Sequence, residues 1–443
     1  MLFIYTLTFS VFIYQLLLPM HMQKRISSGS VYTLVLLLAT AFFLGCSHPQ
    51  KEEEKAVLLP GIWRATLDIQ GQPLPFNFEL TYTDSSGYIA YLMNDEERIR
   101  LDEISVQGDS VYIPMHYFDT RIEARIEGDK MHGHWQKNYV EDYIIPFTAE
   151  QGVPYRFASE SPLAEVSFDG KWEVYFGNDP QDSLVSISFF EQEGNKLTGT
   201  ILKTTGDYRY LAGNVRNDTL YLSTFDGEHA YLFRASMQED GTLLGDYWSG
   251  KTYHDTWVAR RNEQAELPDP SHLTFIKEGY DGMQFSFPNT AGEMVSLSDA
   301  KFQNKVVIVQ LLGTWCPNCM DETKFLSGWY NQNQERGVEI IGLAYERKDD
   351  FAYASSRIQK MKEKLDVPYE VLMAGTHDKE AAAKTLPMLN HILSFPTTIF
   401  IDRNGEVREI HTGFSGPGTG KYFAQFIEEF NLLMDKLLRE SPA

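Results

Sequence analysis

Residues 61–261 contain short runs in which apolar and polar side chains alternate, with turn-forming residues between them. Leu74, Phe76, Phe78, Leu80 and Tyr82 form one such run, in which every second side chain is apolar. A period of two places these side chains on one face of a strand. The region is therefore predicted to be all-β, with its frequent aromatic side chains filling the interior.

The β region contains an internal repeat. Residues 61–63 (Gly-Ile-Trp) recur as residues 170–172 (Gly-Lys-Trp), and the strand-like residues 109–113 recur as residues 218–222. Residues 133–135 (Gly-His-Trp) match residues 245–248 after a small insertion. Each copy divides into about eight short strands. We predict two tandem antiparallel repeats, either lipocalin-like barrels or sandwiches, that serve as a docking module or hold a small ligand.

The pattern changes after a polar linker, residues 262–270. Strand-like stretches at 306–312, 338–345 and 369–373 alternate with helical stretches that begin near Met320 and span residues 349–365 and 378–386. A strand pair at 397–402 and 407–412 precedes an amphipathic helix at 421–438. This alternation predicts an α/β domain with a central mixed sheet, so the fold class is multidomain.

A Cys-x-x-Cys motif, Cys316 to Cys319, follows the first strand of this α/β region and precedes its first helix. A helix N-terminus favours negative charge, so this position stabilises a thiolate on the first cysteine. The motif predicts a thioredoxin-like redox site. The alternative is half of a zinc site, which requires two more soft ligands, and the sequence has no second Cys-x-x-Cys.

Residues from about 271 to 438 resemble the TlpA/ResA-type thiol-disulfide oxidoreductases of the thioredoxin superfamily. The resemblance is carried by residues 313–319 (Gly-Thr-Trp-Cys-Pro-Asn-Cys), Glu322, residues 395–398 (Phe-Pro-Thr-Thr) and residues 402–405. It implies a thioredoxin-like α/β domain whose cysteines form a redox disulfide, Cys316–Cys319. The catalytic residues that it implies are Trp315, Cys316, Cys319, Glu322 and Pro396.

The resemblance also implies a role for each residue. Cys316, exposed at the start of the helix, attacks the substrate, and the more buried Cys319 resolves the mixed disulfide. Glu322 manages the proton of the buried thiol, since the buried aspartate of thioredoxin is replaced here by Gln310. A cis peptide before Pro396 turns the backbone of Phe395 towards the sulfurs, where it can pair with a substrate strand.

The N-terminus is predicted to be a signal peptide, residues 1–45. Met20 and Met22 are alternative start sites, and a start there would leave residues 1–21 untranslated. A basic segment at 22–25 and an apolar segment at 31–44 precede Cys46, as in a bacterial lipoprotein. Cys46 is the predicted lipidation site, and an uncleaved membrane helix is the alternative. The predicted mature domains are a lipidated tether (46–58), β-repeat 1 (59–158), β-repeat 2 (159–263) and the thioredoxin-like domain (264–443).

Composition narrows the location and the partners. The formal charge of −22 is spread along the chain, which argues against nucleic acid as a partner. With Cys46, Cys316 and Cys319 the only cysteines of the full sequence, an oxidising compartment is expected. We predict a lipid-anchored protein of the bacterial envelope on the periplasmic face of the outer membrane. The acidic tether residues 50–54 suggest the cell surface as the alternative.

Three function classes remain open. The first is an enzyme that reduces protein disulfides, receives electrons from a membrane thiol donor and contacts the membrane through its lipid anchor, without a metal or cofactor. The second is a peroxiredoxin-like peroxidase, whose threonine stands three residues before the reactive cysteine, whereas Thr314 stands two before Cys316. The third is a lipid-anchored binding module with an accessory thioredoxin fold. His132 and His134 share a strand face, which is interpreted as solvated because no third ligand accompanies them.

Overall fold

The computed structural model describes residues 57–158, 164–177 and 185–442. The predicted signal peptide, the lipidation residue Cys46 and nearly all of the tether lie outside these described residues. Within them, no helix combines the length and the apolar character that a membrane crossing requires.

The first β repeat folds into an antiparallel half-barrel of nine strands. The first strand, β1, pairs with both β2 and the last strand, β9. Within residues 57–158, all of which are described, no ladder joins β4 to β5, so the sheet stays open between them. The strands are β1 (Gly61–Ile69), β2 (Gln72–Thr83), β3 (Gly87–Asn94), β4 (Glu97–Leu101), β5 (Ser105–Gln107), β6 (Ser110–Pro114), β7 (Thr120–Glu127), β8 (Lys130–Lys137) and β9 (Ile144–Gln151).

The second β repeat closes into a barrel. Its strand β11 pairs with both β10 and β12, which completes a ring of eight antiparallel strands with the short β13 attached at one end. The strands are β10 (Gly170–Phe176), β11 (Ser186–Glu193), β12 (Lys196–Lys203), β13 (Gly206–Asp207), β14 (Leu211–Arg216), β15 (Thr219–Phe225), β16 (Ala230–Met237), β17 (Leu243–Ser249) and β18 (Tyr253–Arg261). Within the residues that the structure describes, each repeat has nine strands rather than about eight, because three-residue β5 and two-residue β13 are too short to show alternation.

The repeated residues make the same contacts in both copies. The buried indole of Trp63 donates to the carbonyl oxygen of Leu59 at 2.9 Å, and that of Trp172 donates to Phe168 at 2.8 Å. Gly133 holds an equivalent place in β8 to the glycine of the second motif in β17, since a Cβ on either would collide with the neighbouring strand's backbone. The sequence repeat is therefore a structural repeat.

The open first sheet is covered by the rest of the molecule. Phe225, at the end of β15, packs against Phe76 with ring centroids 4.5 Å apart and against Trp135 at 5.1 Å. Next to the gap between β4 and β5, Glu103 forms ion pairs with Lys360 and Lys364 of the α/β domain. Residues of both other domains thus contact the half-barrel: aromatic packing from the second repeat and ion pairs from the α/β domain.

The α/β domain is built on a five-stranded mixed sheet of order β23-β22-β21-β24-β25. Strands β21, β22 and β23 are parallel, and β24 runs antiparallel to both β21 and β25. A small hairpin precedes the sheet. The elements are β19 (Ser286–Pro288), β20 (Met294–Ser296), β21 (Val306–Leu312), α1 (Pro317–Asn333), β22 (Val338–Glu346), α2 (Phe351–Lys364), β23 (Glu370–Thr376), α3 (Lys379–Thr385), β24 (Thr397–Ile401), β25 (Val407–Thr412) and α4 (Lys421–Arg439).

Helix α1 begins at Pro317, three residues earlier than the sequence pattern indicates. Cys316 is its N-cap, because the Cys316 sulfur accepts a hydrogen bond from the backbone N–H of Cys319. Proline fits the first helical position, where the missing N–H would have had no partner in the helix. The motif therefore forms the first turn of the helix.

Candidate active site

The two thiols lie one helical turn apart, where β21 meets α1. Cys316 and Cys319 are both unbridged in this structure. The Cys319 N–H donates to Cys316 Sγ at 3.3 Å, and Cys316 Sγ donates to the carbonyl oxygen of Phe395 at 3.4 Å. Cys319 has no exposed surface. Its burial, with the neighbouring Cys316 adding to the effect, raises the pKa of the Cys319 thiol well above its ordinary value.

The sequence predicts an exposed Cys316, but only 7% of its surface is accessible in the structure. The second β repeat approaches the motif at this point. The side-chain amide of Asn318 donates to the carbonyl oxygen of Asp207 at 3.3 Å. The expectation of an exposed Cys316 is wrong: its thiol faces the carbonyl oxygen of Phe395, and a loop of the barrel contacts the neighbouring Asn318.

Glu322 lies one turn below Cys319 and is completely buried. Its carboxylate accepts hydrogen bonds from Gln310 Nε2 at 2.7 Å and from Thr398 Oγ1 at 2.8 Å. Burial raises the pKa of Glu322 to about 7, although both hydrogen bonds act to lower it. The acid can therefore exchange a proton near neutral pH. Gln310 also donates to the carbonyl oxygen of Cys319 at 3.4 Å, so it joins the acid to the motif.

The remaining two candidate residues flank Cys316. The peptide between Phe395 and Pro396 is cis, which is what the resemblance implied, and it leaves the Phe395 carbonyl facing Cys316 Sγ. The indole of Trp315 donates to the carbonyl oxygen of Tyr345 at 2.8 Å. The guanidinium of Arg347 lies 4.1 Å from the centroid of the Trp315 ring. The structure thus brings all five predicted catalytic residues to one end of the sheet.

Sequence interpretation did not identify two polar partners of the motif. Glu346, at the end of β22, accepts hydrogen bonds from the backbone N–H and the hydroxyl of Thr314 at 3.0 and 2.8 Å. Thr398 is the last residue of the recognised Phe-Pro-Thr-Thr segment, but its hydrogen bond to Glu322 was not foreseen. Nothing in the sequence marked Glu346 as a partner of the motif, since it lies 32 residues from Thr314.

A buried ionic cluster links the motif helix to both β repeats. Arg209 of the second repeat pairs with Asp321 of α1 and with Glu97 of the first repeat. It also donates to the carbonyl oxygen of Pro317 at 3.1 Å. Burial raises the pKa of Asp321 to about 7, against the lowering effect of the Arg209 charge. The first turn of the motif helix is thus held by a side chain from another domain.

Among the residues that the structure describes, no group of three or more histidine, cysteine or acidic side chains is placed to hold a metal ion. His132 is exposed and His134 contacts the side-chain amide of Gln136. The described part of the chain therefore offers no candidate metal centre.

Comparison with known proteins gives a consistent class. Residues 279–410 match the family described as the AhpC/TSA family. The chain is 26% identical over 138 residues to the thiol-disulfide oxidoreductase ResA of Bacillus subtilis (strain 168), which covers 31% of this chain and 69% of that protein. It is 25% identical over 185 residues to the thiol:disulfide interchange protein DsbE of Escherichia coli (strain K12), which covers 42% of this chain and 88% of that protein.

Among solved structures, a putative protein disulfide isomerase from Bacteroides thetaiotaomicron is 18% identical and covers 39% of this chain and 95% of its own, with a TM-score of 0.28. The strand order of the mixed sheet and the family match define the fold of the C-terminal region. The C-terminal region is a thiol-disulfide oxidoreductase domain of the thioredoxin superfamily, and the protein is an oxidoreductase. The resemblance inferred from the motif is confirmed.

Proposed function

We propose that the protein reduces disulfides of envelope proteins through the dithiol of Cys316 and Cys319. The observation that carries this proposal is the asymmetry of the two thiols. Cys316 caps helix α1 and its sulfur accepts a hydrogen bond from the Cys319 N–H, whereas Cys319 is fully buried above the acid of Glu322. This asymmetry suits Cys316 to attack the substrate disulfide and Cys319 to resolve the mixed disulfide afterwards.

The reaction proceeds in two exchanges. The Cys316 thiolate attacks one sulfur of the substrate disulfide, the substrate S–S bond breaks, and the released substrate thiolate takes up a proton. Cys319 then loses its proton and attacks Cys316 Sγ, which forms the Cys316–Cys319 disulfide and releases the second substrate thiol. The substrate gains two electrons and the dithiol loses two. A thiol donor outside the chain must restore the dithiol, and a membrane thiol protein is the proposed donor.

Glu322 is the proposed acceptor of the Cys319 proton. A carboxyl group with a pKa of about 7 is partly ionised at neutral pH, so it can take the proton and later return it. Gln310 and Thr398 orient the carboxylate by donating to its two oxygens. Pro396 is proposed to shape the backbone against which a substrate segment lies, and Trp315 to form the wall beside it.

The proposed location is the periplasmic face of the outer membrane, with Cys46 lipidated and residues 46–58 as the tether. About ten extended residues can reach ~35 Å from the membrane. The proposal is supported by the lipoprotein-like sequence before Cys46 and by the need for an electron donor, which an extracellular face does not obviously offer. The cell surface is the alternative suggested by the acidic residues 50–54.

Peroxide reduction is the second candidate function, and the match to the AhpC/TSA family favours it. In a peroxidase of the expected pattern, a threonine hydroxyl near the reactive cysteine holds the peroxide. Here the Thr314 hydroxyl donates to Glu346 instead, and the threonine is one position too close to Cys316. Disulfide exchange therefore fits the site better. A binding module with an inactive thioredoxin fold is opposed by the intact dithiol.

The test is turnover of insulin disulfides and of hydrogen peroxide by the purified protein, with dithiothreitol as the donor. We expect insulin reduction, its loss in Cys316→Ser, and peroxide turnover no faster than that of the same variant. Insulin reduction that persists in Cys316→Ser would contradict the dithiol assignment. Peroxide turnover that depends on Cys316 and exceeds insulin reduction would favour the peroxidase.

A further inference from the structure

A segment of the second-repeat barrel packs against the turn that carries the two cysteines. Residues 204–209, which we call the barrel hairpin, lie between β12 and β14 and include β13. Two of its residues contact the Cys-x-x-Cys turn: Asp207 accepts from Asn318 at 3.3 Å, and Arg209 donates to the Pro317 carbonyl at 3.1 Å. The hairpin therefore contacts both residues that separate the two cysteines.

The barrel hairpin also contacts the two other loops around Cys316. Ser394, directly before the Phe395 whose carbonyl faces Cys316, donates through its hydroxyl to the Thr205 carbonyl at 2.7 Å. Beyond β25, the N–H of Gly416 donates to the Asp207 carboxylate at 2.7 Å. Three separate loops of the α/β domain thus converge on six consecutive residues of the barrel.

The packing at these contacts leaves no space between the two surfaces. A Cβ on Gly206, whose φ of +139° suits glycine, would lie 2.9 Å from Asn318 Nδ2. A Cβ on Gly413 would lie 2.7 Å from the Thr204 carbonyl oxygen. Glycine on each side of the contact permits this close approach. A substrate segment therefore cannot pass between the hairpin and the loops without displacing one of them.

Buried charge anchors the hairpin at one end. Arg209 is 7% exposed and forms ion pairs with Asp321 and Glu97, so moving it away would leave one buried and one partly buried carboxylate without their partner. Removing one member of such a cluster is strongly unfavourable. The hairpin is consequently a fixed wall at Arg209, and its freedom to move is confined to residues 204–207.

We infer that the barrel hairpin determines which disulfides reach Cys316: it admits disulfides of small molecules and of flexible chain segments, and it holds back disulfides set in compact proteins. This inference rests on the proposed disulfide reduction and names its substrate class. Attack requires the substrate S–S bond to align with Cys316 Sγ, and the hairpin occupies the approach over Pro317, Asn318 and Ser394. A small disulfide needs little space to reach Cys316 Sγ, whereas a disulfide in a compact protein can reach it only when the hairpin withdraws.

The first test compares two substrates, insulin and oxidised glutathione, in three proteins. Asp207→Ala removes the hydrogen bond that joins the hairpin to the Gly416 N–H of the α/β domain, together with one inside the hairpin to the Arg209 N–H, and leaves the motif unchanged. Losing the bond between the domains should favour withdrawal, so we expect the ratio of kcat/KM for insulin over glutathione to rise about fivefold, which corresponds to about 1 kcal/mol. Asp218→Ala, at an exposed turn of the same barrel, is the matched control and should leave the ratio unchanged.

A folded Asp207→Ala protein whose ratio stays within about twofold of the wild-type value would overturn the inference. That outcome differs from failure of the proposed function, in which the wild-type protein would reduce neither substrate and both proposals would fall. Unfolding of Asp207→Ala is recognised by circular dichroism, in which case the second test decides.

The second test needs no change in the hairpin. In Cys319→Ser, the Cys316 thiolate attacks a disulfide, releases one thiol and stays joined to the other half, because the resolving thiol is absent. Mixed disulfides are prepared with glutathione and with a compact folded protein that carries a single cysteine, activated as its aromatic disulfide. We expect faster hydrogen exchange of the backbone amides of residues 204–209 in the complex with the compact protein than in the glutathione complex. Equal exchange in both complexes would overturn the inference.

Discussion

Glu322→Gln separates the chemistry of the buried acid from its structural role. The substitution keeps the size of the side chain but removes its titration and its capacity to accept the Cys319 proton. We expect the attack of Cys316 on a substrate to be unaffected and the resolution of the mixed disulfide to slow about 100-fold, the lower end of what general base catalysis contributes. The buried Cys319 thiol, with its raised pKa, then has no adjacent acceptor for its proton.

The effect on stability can be worked out from the pKa of Glu322. Raising the pKa of a carboxyl from 4.5 to about 7 corresponds to about 3 kcal/mol. Because the folded protein holds the proton more tightly than the unfolded chain, this contribution is fully present below pH 4.5 and is lost as the pH rises to about 7. Above that, the folded protein contains a buried carboxylate.

Glu322→Gln has no such charge at any pH. We therefore expect its free energy of unfolding to lack this pH dependence between about 4.5 and 7 and, above pH 7, to equal or exceed that of the wild type. An unfavourable hydrogen bond between the amides of Gln310 and the new glutamine would lower the free energy of unfolding by about 1 kcal/mol. A slower reaction in a protein that is no less stable would identify a proton-transfer defect rather than a folding defect.

The assay is stopped-flow resolution of a preformed mixed disulfide between about pH 5 and 9, a range that brackets ordinary carboxyl and thiol pKa values. The wild-type rate should rise through an inflection near pH 7, where Glu322 becomes the base, and the variant should lack that inflection. Glu363→Gln, the same change on the exposed face of α2, is the control. Resolution rates that coincide for the wild type and Glu322→Gln across the range would refute the role of the acid.

Three further predictions concern other parts of the chain. Iodoacetamide at neutral pH should label Cys316 well before Cys319 in the reduced protein, as mapped by mass spectrometry, and the reverse order would exchange their assigned roles. Arg209→Met should lower the free energy of unfolding by about 3–5 kcal/mol, because two carboxylates lose their buried partner; in denaturant titrations, exposed Arg216→Met should lose far less, and equal losses would show that the cluster does not stabilise the fold. The mature N-terminus should be lipidated Cys46, detectable by mass spectrometry and absent in Cys46→Ser; an unlipidated Met22 terminus would exclude the anchor.

The amount of structure predictable from sequence differs between the domains. In the α/β domain, strands buried on both faces appear in the sequence as continuous apolar runs such as residues 306–309. The Cys-x-x-Cys motif after this run identifies the fold by resemblance. In the β repeats, alternation predicts strands but not ring closure. Closure of the second barrel depends on the pairing of β11 with β12, and nothing in either strand's own pattern distinguishes it from the open first sheet.

The residues of the site were predictable where they belong to one contiguous motif, and not where tertiary packing brings them together. Cys316, Cys319 and Glu322 share one helix, so their spacing defines their geometry. Arg209 is 112 residues away from Asp321, and a lone arginine in a β hairpin carries no signal of such a partner. The contact of Asn318 with Asp207 was missed for the same reason, since it joins separate domains.

The incomplete first sheet has a consequence for the order in which the chain is made. Synthesis delivers the half-barrel first, and domains generally fold as units from the N-terminus. Phe225, which packs on Phe76 and Trp135, follows only after most of the second repeat, and the lysines that pair beside the open edge follow later still. The newborn first repeat therefore carries an unpaired edge and an uncovered aromatic face until its own duplicate emerges. Such edges invite pairing with other chains, so premature termination within the second repeat would release an aggregation-prone fragment rather than a smaller working protein.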